Sequence, residues 1–169
     1  MNENQAPLNY TDEEAYAVYT AILPHNRPYL VIRSYTVSHE NQMCPLPKEG
    51  FPRIVSAAIG DWKRVNQQRW TLLPMLSVSG AYELIPSKRL DDIFSENGGD
   101  FPFFYGLYPN SGGFIELSAV GFNADKTVAA VYMDEVCGGL CGSGAFFVLK
   151  KSDGEWSLMN GGPRCVRIS

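Results

Sequence analysis

The C-terminal third of the chain constrains the fold most, because it alternates β-prone runs with short turns. The runs are FIELSAVGF, TVAAVYMDEV, AFFVLKK and EWSLM. Asn, Asp, Ser and Gly at residues 123–126 and 152–154 separate them, and turns of this chemistry join antiparallel neighbours as hairpins. We therefore predict an antiparallel β-meander, with a last short run over residues 164–168 that returns toward the sheet.

The first half of the chain carries the helical signals. Apolar residues recur at helical spacing before Pro24 and again over residues 51–68, which predicts two helices, and a short third one follows Pro86. A strand is predicted over residues 29–37. The aromatic residues between 95 and 113 show no periodicity, and we expect them to pack into the core.

These patterns predict one α+β domain over residues 1–169, with residues 1–10 disordered. Two to three helices would pack on an antiparallel sheet of about five to seven strands, the C-terminal meander among them. Small folds of this kind commonly hold a ligand between the sheet and the helices. That expectation rests on fold analogy alone.

Charge and hydropathy exclude two classes of partner. The net charge is −4, and the fourteen Lys and Arg residues are scattered rather than concentrated in a basic stripe, so nucleic acid is not an expected partner. No run approaches the ~18 apolar residues of a membrane-spanning helix. We expect a domain that does not span a membrane.

Four cysteines, Cys44, Cys137, Cys141 and Cys165, permit two disulfides or free thiols. Cys137 and Cys141 flank Gly-Gly-Leu between two strands of one predicted hairpin, where cross-strand side chains lie about 4.5–5.5 Å apart. A disulfide that closes this loop is the leading hypothesis, two free thiols are the alternative, and Cys44 with Cys165 is a second candidate pair. The C-x₃-C spacing is not that of a zinc site, so neither a metal nor a cofactor is expected.

The motifs between residues 82 and 159 follow a distinctive order. YELIPSKRLDDIF and the turn YPNSGG precede GFNADKTVAA, CGGLCGSG and LKKSDGEW. This order resembles the C-terminal region of a group of uncharacterised, usually exported bacterial proteins that share a GFN-D-T-A turn, a CG-LCG-G loop and an L-K-DG-W hairpin. No activity is established for the group, so it supplies no site residue.

The resemblance implies a periplasmic or secreted protein with oxidised cysteines. The first ten residues, MNENQAPLNY, lack the basic and apolar segments of a signal peptide. If the chain is complete as written, a cytoplasmic location is the expectation instead.

The segment GLCGSG also resembles the nucleophile turn of chymotrypsin-like cysteine proteases of RNA viruses. That resemblance implies a Cys141 thiolate that attacks a carbonyl, backbone N–H groups that hold the oxyanion, and upstream His39 as the base. The helical first half departs from the double β-barrel of those enzymes, and no histidine follows the turn.

The sequence thus leaves two functional hypotheses. The first is a non-enzymatic, exported bacterial domain that binds a small molecule, a peptide or an envelope protein, with the cysteine loop as a rigid rim. The alternative is a cysteine-dependent hydrolase or protease with Cys141 as nucleophile and His39 as base. The ligand-binding residues are not predicted.

Overall fold

A computed structural model of the chain describes residues 7–37, 50–96, 100–139, 141–163 and 165–168. In chain order the elements are β1 (Leu8–Tyr10), α1 (Glu13–Ile22), β2 (Tyr29–Arg33), α2 (Arg53–Val65), β3 (Trp70–Leu72), β4 (Ala81–Ile85), α3 (Ser87–Glu96), α4 (Phe101–Leu107), β5 (Phe114–Leu117), β6 (Gly121–Phe122), β7 (Val128–Gly138), β8 (Cys141–Ser152), β9 (Glu155–Leu158), a 3₁₀ turn (Met159–Gly161) and β10 (Cys165–Ile168).

The main sheet has the strand order β10-β8-β7-β5-β2-β4, with β6 paired to β7 and β9 paired to β8. The α+β class and the C-terminal meander are confirmed. The sheet is mixed rather than purely antiparallel, because β2 pairs in parallel with both β4 and β5. These parallel neighbours are connected through helices, as parallel pairs require, and hairpin turn signals cannot reveal them.

Helices cover both faces of the sheet. On one face, α1 and the small parallel sheet of β1 and β3 close a core that includes Tyr19, Ile32 and Val131. On the other face, α2 packs on the middle of β7 and β8 through Trp62, while α3 and α4 pack on β2 and β5 through Phe104. The face that carries α3 and α4 also carries the pocket described below.

One expectation about the N-terminus is wrong, and the aromatic segment without periodicity contains a helix. Residues 8–10, predicted to be disordered, form β1, because Tyr10 is buried against the tyrosines of α1. The aromatic segment contains a fourth helix, α4, whose first turn holds a proline and whose N-cap Asp100 accepts from the backbone N–H of Phe103 at 3.2 Å. The expectation that these aromatic residues fill the core is confirmed for Phe104, which is fully buried.

The predicted glycine and cysteine loop is mostly strand. β7 extends to Gly138, and β8 begins at Cys141. Val136 pairs with Gly142, and Cys137 lies at a register shift before Gly138 pairs with Cys141. Such a bulge adds one residue to a strand and increases its twist. The segment is therefore the end of a long hairpin and not a wide loop.

None of the helices in the described ranges is both long enough and apolar enough to cross a membrane.

Candidate functional site

The hairpin end brings two of the predicted site residues together. The sulfur atoms of Cys137 and Cys141 lie at disulfide distance, with their Cα atoms 5.2 Å apart. The Tyr105 hydroxyl of α4 donates to the Cys137 carbonyl at 3.0 Å, so α4 also supports this hairpin. The shape of the hairpin end is thereby fixed from two sides.

The other predicted site residues are placed only in part. His39 and Cys44 lie outside the described residues. The backbone of Cys165 lies in β10 opposite Phe146, and its side chain is likewise outside the described part. The pairing of Cys44 with Cys165 stays a prediction. Among the described residues, no group of three or more His, Cys, Asp or Glu side chains is arranged to hold a metal ion.

The hydrolase hypothesis requires Cys141 as a free thiolate, because the thiolate is the nucleophile. The structure instead brings its sulfur to that of Cys137, and the segment that should supply backbone N–H groups to an oxyanion is a paired strand. The hypothesis stays a prediction for the reduced protein.

A second feature of the same end of the sheet has the composition of a binding site. A cavity of about 450 Å³ lies between the first residues of β2, the middle of β4 and the end of α4. We call it the tyrosine pocket, and its lining consists of Pro28, Tyr29, Glu83, Leu107, Tyr108, Pro109 and Asn110. Three apolar residues thus share the wall with two tyrosines, one amide and one carboxylate. Apolar walls with a few convergent polar groups are usual in small-ligand sites.

Strand register places the polar groups of the tyrosine pocket on one face. Val31 of β2 pairs with Glu83 of β4, and Tyr29 lies two residues earlier on the same face as Val31. Tyr108 follows directly after α4 as its C-cap. Gly80 lets the chain enter β4 close to β2, since a Cβ atom there would lie 2.5 Å from the Pro28 carbonyl oxygen.

Both oxygens of Glu83 accept hydrogen bonds from tyrosines. The Tyr29 hydroxyl donates to Oε2 at 2.9 Å, and the Tyr108 hydroxyl donates to Oε1 at 3.3 Å. Burial raises the pKa of Tyr29, and the hydrogen bond to Glu83 and the negative charge of Glu83 raise it further. Both phenols therefore stay neutral donors at physiological pH.

Arg89 of α3 balances part of this charge. Burial, the charge of Glu83 and the hydrogen bond to it raise the pKa of Tyr108, in that order, whereas the Arg89 guanidinium acts in the opposite direction. Arg89 is exposed and is not part of the pocket wall. The positive charge thus lies at the Tyr108 side of Glu83.

The tyrosine pocket is connected to the cysteine hairpin through the segment before β5. Tyr108, Pro109 and Asn110 line the pocket, and Gly113 lies against the hairpin, where a Cβ atom would be 2.3 Å from the Val136 carbonyl oxygen. Gly113 has φ +105°, a backbone conformation that favours glycine. Arg27, just before the pocket, forms an ion pair with Glu135 of the hairpin.

Comparison with known proteins identifies no relative. The chain matches no protein-family model, no curated protein and no solved structure. The site must therefore be interpreted from its own chemistry.

Charged groups also lie in a row across the middle of the sheet. Arg33 of β2 contacts Glu116 of β5 at 2.7 Å, and Asp134 of β7 is the cross-strand partner of Glu116. Arg33 also donates to the Ser87 hydroxyl at 2.9 Å. Glu116 and Asp134 are buried, and an unpaired buried charge is costly. The ion pair between Arg33 and Glu116 links β2 to β5.

Sequence reasoning missed the tyrosine pocket because its residues are dispersed. Tyr29, Glu83 and Tyr108 come from three separate segments of the chain. The motifs YELIPSKRLDDIF and YPNSGG contain Glu83 and Tyr108, but neither motif indicates a shared site. Glu83 lies inside a β-prone run, YELI, where a charged residue ordinarily indicates a solvated face. Only the pairing of β2 with β4, which the turn signals do not predict, brings the three together.

Proposed function

We propose that this protein is a non-enzymatic binding domain whose tyrosine pocket takes a ligand with a small cationic group, a primary ammonium or a guanidinium. The observation that carries the proposal is the Glu83 carboxylate, which accepts hydrogen bonds from two tyrosine hydroxyls in the wall of the cavity. The cavity volume fits a side chain or a small molecule rather than a folded partner.

The chemistry of the pocket favours a cation. Each Glu83 oxygen accepts one hydrogen bond and retains acceptor capacity, and a hydrogen bond that also joins opposite charges is about twice as strong as a neutral one. Phenol rings attract cations over their faces. Proline and leucine surround these groups and would contact the aliphatic part of the ligand.

The first test uses n-butylammonium, n-butylguanidinium and neutral n-butanol as probes, titrated into the folded protein and followed by amide NMR shifts. We expect millimolar binding of the two cations, with shifts centred on Tyr29 and Glu83, and none of butanol. Glu83→Gln should weaken cation binding at least about fivefold, because it removes the charge and retains the shape.

Glu155→Gln is the matched control, because Glu155 lies exposed on β9 and its substitution changes the net charge equally. It should leave both affinities unchanged. Equal binding of the cations to the wild-type and Glu83→Gln proteins would refute the proposal.

The domain is proposed to work in an oxidising compartment, outside the cytoplasm. The support is the pair Cys137 and Cys141 at disulfide distance, since disulfides persist mainly in exported proteins. Intact mass and peptide mapping of the chain, produced once with and once without an export signal, test this. An unbonded Cys137 after export would contradict it.

A further inference from the structure

The outer edge of β4 is open in the part of the chain that the structure describes. β4 is the last strand of the sheet, and β2 is its only described neighbour. It carries neither proline nor lysine, two residues that commonly protect an edge strand from further pairing, and its one charged residue is Glu83. An edge of this kind is a template for another extended segment.

The hydrogen-bond pattern identifies which backbone groups face outward. Ala81 donates to the Pro28 carbonyl at 3.0 Å, and the Ile85 carbonyl accepts from Ser34 at 2.8 Å. Backbone groups alternate in direction along a strand, so residues 81, 83 and 85 face β2. The N–H and C=O groups of Tyr82 and Leu84 consequently point away from β2.

Side-chain packing holds this edge in a fixed register. Tyr82 and Leu84 pack against the core that α1 covers. Glu83, between them, projects to the opposite face and into the tyrosine pocket. Two outward-facing backbone positions therefore flank the one charged side chain of the pocket.

We infer that the ligand is an extended peptide that adds to the sheet along β4 and places a lysine or arginine side chain against Glu83. This inference rests on the proposed cation pocket and specifies its ligand. In this mode of recognition the backbone hydrogen bonds provide affinity, and alternate side chains provide specificity. Glu83 selects the charge of the side chain that reaches the pocket.

The same charge disfavours a second copy of this chain as the occupant. If two β4 strands paired about a two-fold axis centred on this position, the two Glu83 carboxylates would lie opposite each other. Like charges directly opposite across strands destabilise the pair. The complement of this edge is therefore a segment with a basic residue at the matching position.

The test titrates synthetic peptides into the wild-type protein, and the parent peptide also into the Glu83→Gln protein. The parent probe is acetyl-Thr-Val-Lys-Val-Thr-amide, and a second peptide has norleucine in place of its lysine. A third peptide is N-methylated at the lysine amide, which blocks parallel addition. A fourth peptide is N-methylated at the amides of both valines. In antiparallel addition these are the N–H groups that face β4, so their methylation blocks that mode.

We expect the parent peptide to bind at least about tenfold more tightly than n-butylammonium, because it adds backbone hydrogen bonds to the same charge contact. The norleucine peptide should bind at least about fivefold more weakly than the parent peptide. One of the N-methylated peptides should bind about tenfold more weakly than the parent, while the other should keep the parent's affinity. This difference identifies the direction of the added strand. The amide protons of Tyr82 and Leu84 should exchange more slowly in the complex.

The outcomes separate the two proposals. If n-butylammonium binds through Glu83 while both N-methylated peptides bind as well as the parent, the strand-addition inference fails and the cation pocket stands. If neither n-butylammonium nor the parent peptide distinguishes wild type from Glu83→Gln, the cation pocket fails and the inference fails with it.

Discussion

At the residue scale, the electrostatic balance of the tyrosine pocket depends on Glu83 and Arg89. Both interact with Tyr108, and their charges have opposite effects on its pKa. Arg89 therefore repels the cation that Glu83 attracts. The cationic group of the ligand is therefore expected to contact Glu83 at a point away from the guanidinium.

Removing the positive charge of Arg89 should strengthen cation binding. Because Arg89 is exposed and screened by solvent, we expect Arg89→Gln to tighten n-butylammonium binding by no more than about fivefold. Lys150→Gln, an exposed substitution on β8, serves as the charge-matched control. Weaker binding by Arg89→Gln in an NMR titration would show that Arg89 supports the ligand instead.

Gly144 illustrates how a residue that suggests catalysis can serve packing. A Cβ atom at this position of β8 would lie 1.7 Å from the hydroxyl oxygen of Tyr132, which is buried in the neighbouring strand β7. We expect Gly144→Ala to destabilise the fold by about 1–3 kcal/mol in urea unfolding, because the ring must shift.

Gly60→Ala serves as a control, because this glycine-to-alanine substitution should stabilise the fold rather than destabilise it. Gly60 lies exposed in α2, and apart from its two chain neighbours and the nearby backbone of its own helix no atom lies within 4 Å of an added Cβ. Gly60→Ala should stabilise the fold by about 0.5–1 kcal/mol, since alanine is the better helix former. A stable Gly144→Ala protein would contradict the steric explanation.

At the element scale, Glu14 ties α1 to the hairpin of β8 and β9. Its carboxylate accepts from Lys151 at 2.6 Å and from the Trp156 indole at 3.0 Å. The hydrogen bond from Lys151 is the main reason why the pKa of Glu14 is lowered, followed by that from Trp156. The N-terminal helix is thereby fixed to the C-terminal meander.

A lowered pKa predicts the direction of the pH dependence. The folded state favours the charged form of Glu14. The contribution of Glu14 to the free energy of unfolding is therefore present above the pKa of the unfolded state and is lost as the pH falls through the pKa of the folded state. We expect Glu14→Gln to lower the free energy of unfolding at pH 7 by up to about 1 kcal/mol.

The difference between Glu14→Gln and wild type should vanish well below about pH 4. Glu13→Gln, which changes the neighbouring exposed carboxylate of the same helix turn, should show no such dependence. Urea unfolding of the three proteins at pH 7 and pH 3 measures both effects. An equal Glu14→Gln deficit at both pH values would contradict the ion-pair explanation.

The meander elements could be predicted from sequence because their signals are local. Turn residues at 123–126 and 152–154 lie between runs whose β propensity is continuous, and the structure has β7, β8 and β9 there. α4 was missed because its signal is short and contains proline and glycine. Capping by Asp100 and burial of Phe104 stabilise a helix that periodicity does not reveal.

At the scale of the whole molecule, a group of tyrosines connects the N-terminus to the centre of the sheet. The Tyr19 hydroxyl donates to the Ser118 carbonyl at 2.8 Å, and the Tyr10 hydroxyl accepts from the Val120 N–H at 2.9 Å. Burial is the main cause that raises the pKa of both Tyr10 and Tyr19 far above the ordinary value. The folded state therefore excludes their ionised forms.

Alkaline unfolding should report this exclusion. Tyr10 and Tyr19 have a higher pKa in the folded state than in the unfolded state, where it is about 10. Their contribution to stability is therefore fully present below about pH 10 and is lost as the pH rises above that value. We expect the ultraviolet titration to show one group of tyrosines that ionises at lower pH in the folded protein. A second group, which includes Tyr10 and Tyr19, should ionise only at the higher pH at which the circular dichroism signal is lost. Complete ionisation of all nine tyrosines in the folded protein would contradict this.

The sequence by itself determined the α+β class, the two main helices and the meander, because helix periodicity and turn chemistry act over a few residues. It also brought Cys137 and Cys141 together, since one hairpin carries both. Only the tertiary structure decided the parallel pairing of β2 with β4, and hence the meeting of Tyr29, Glu83 and Tyr108 in one pocket. That pairing joins segments about fifty residues apart, and its free energy comes from the burial of both sheet faces, which no local pattern encodes.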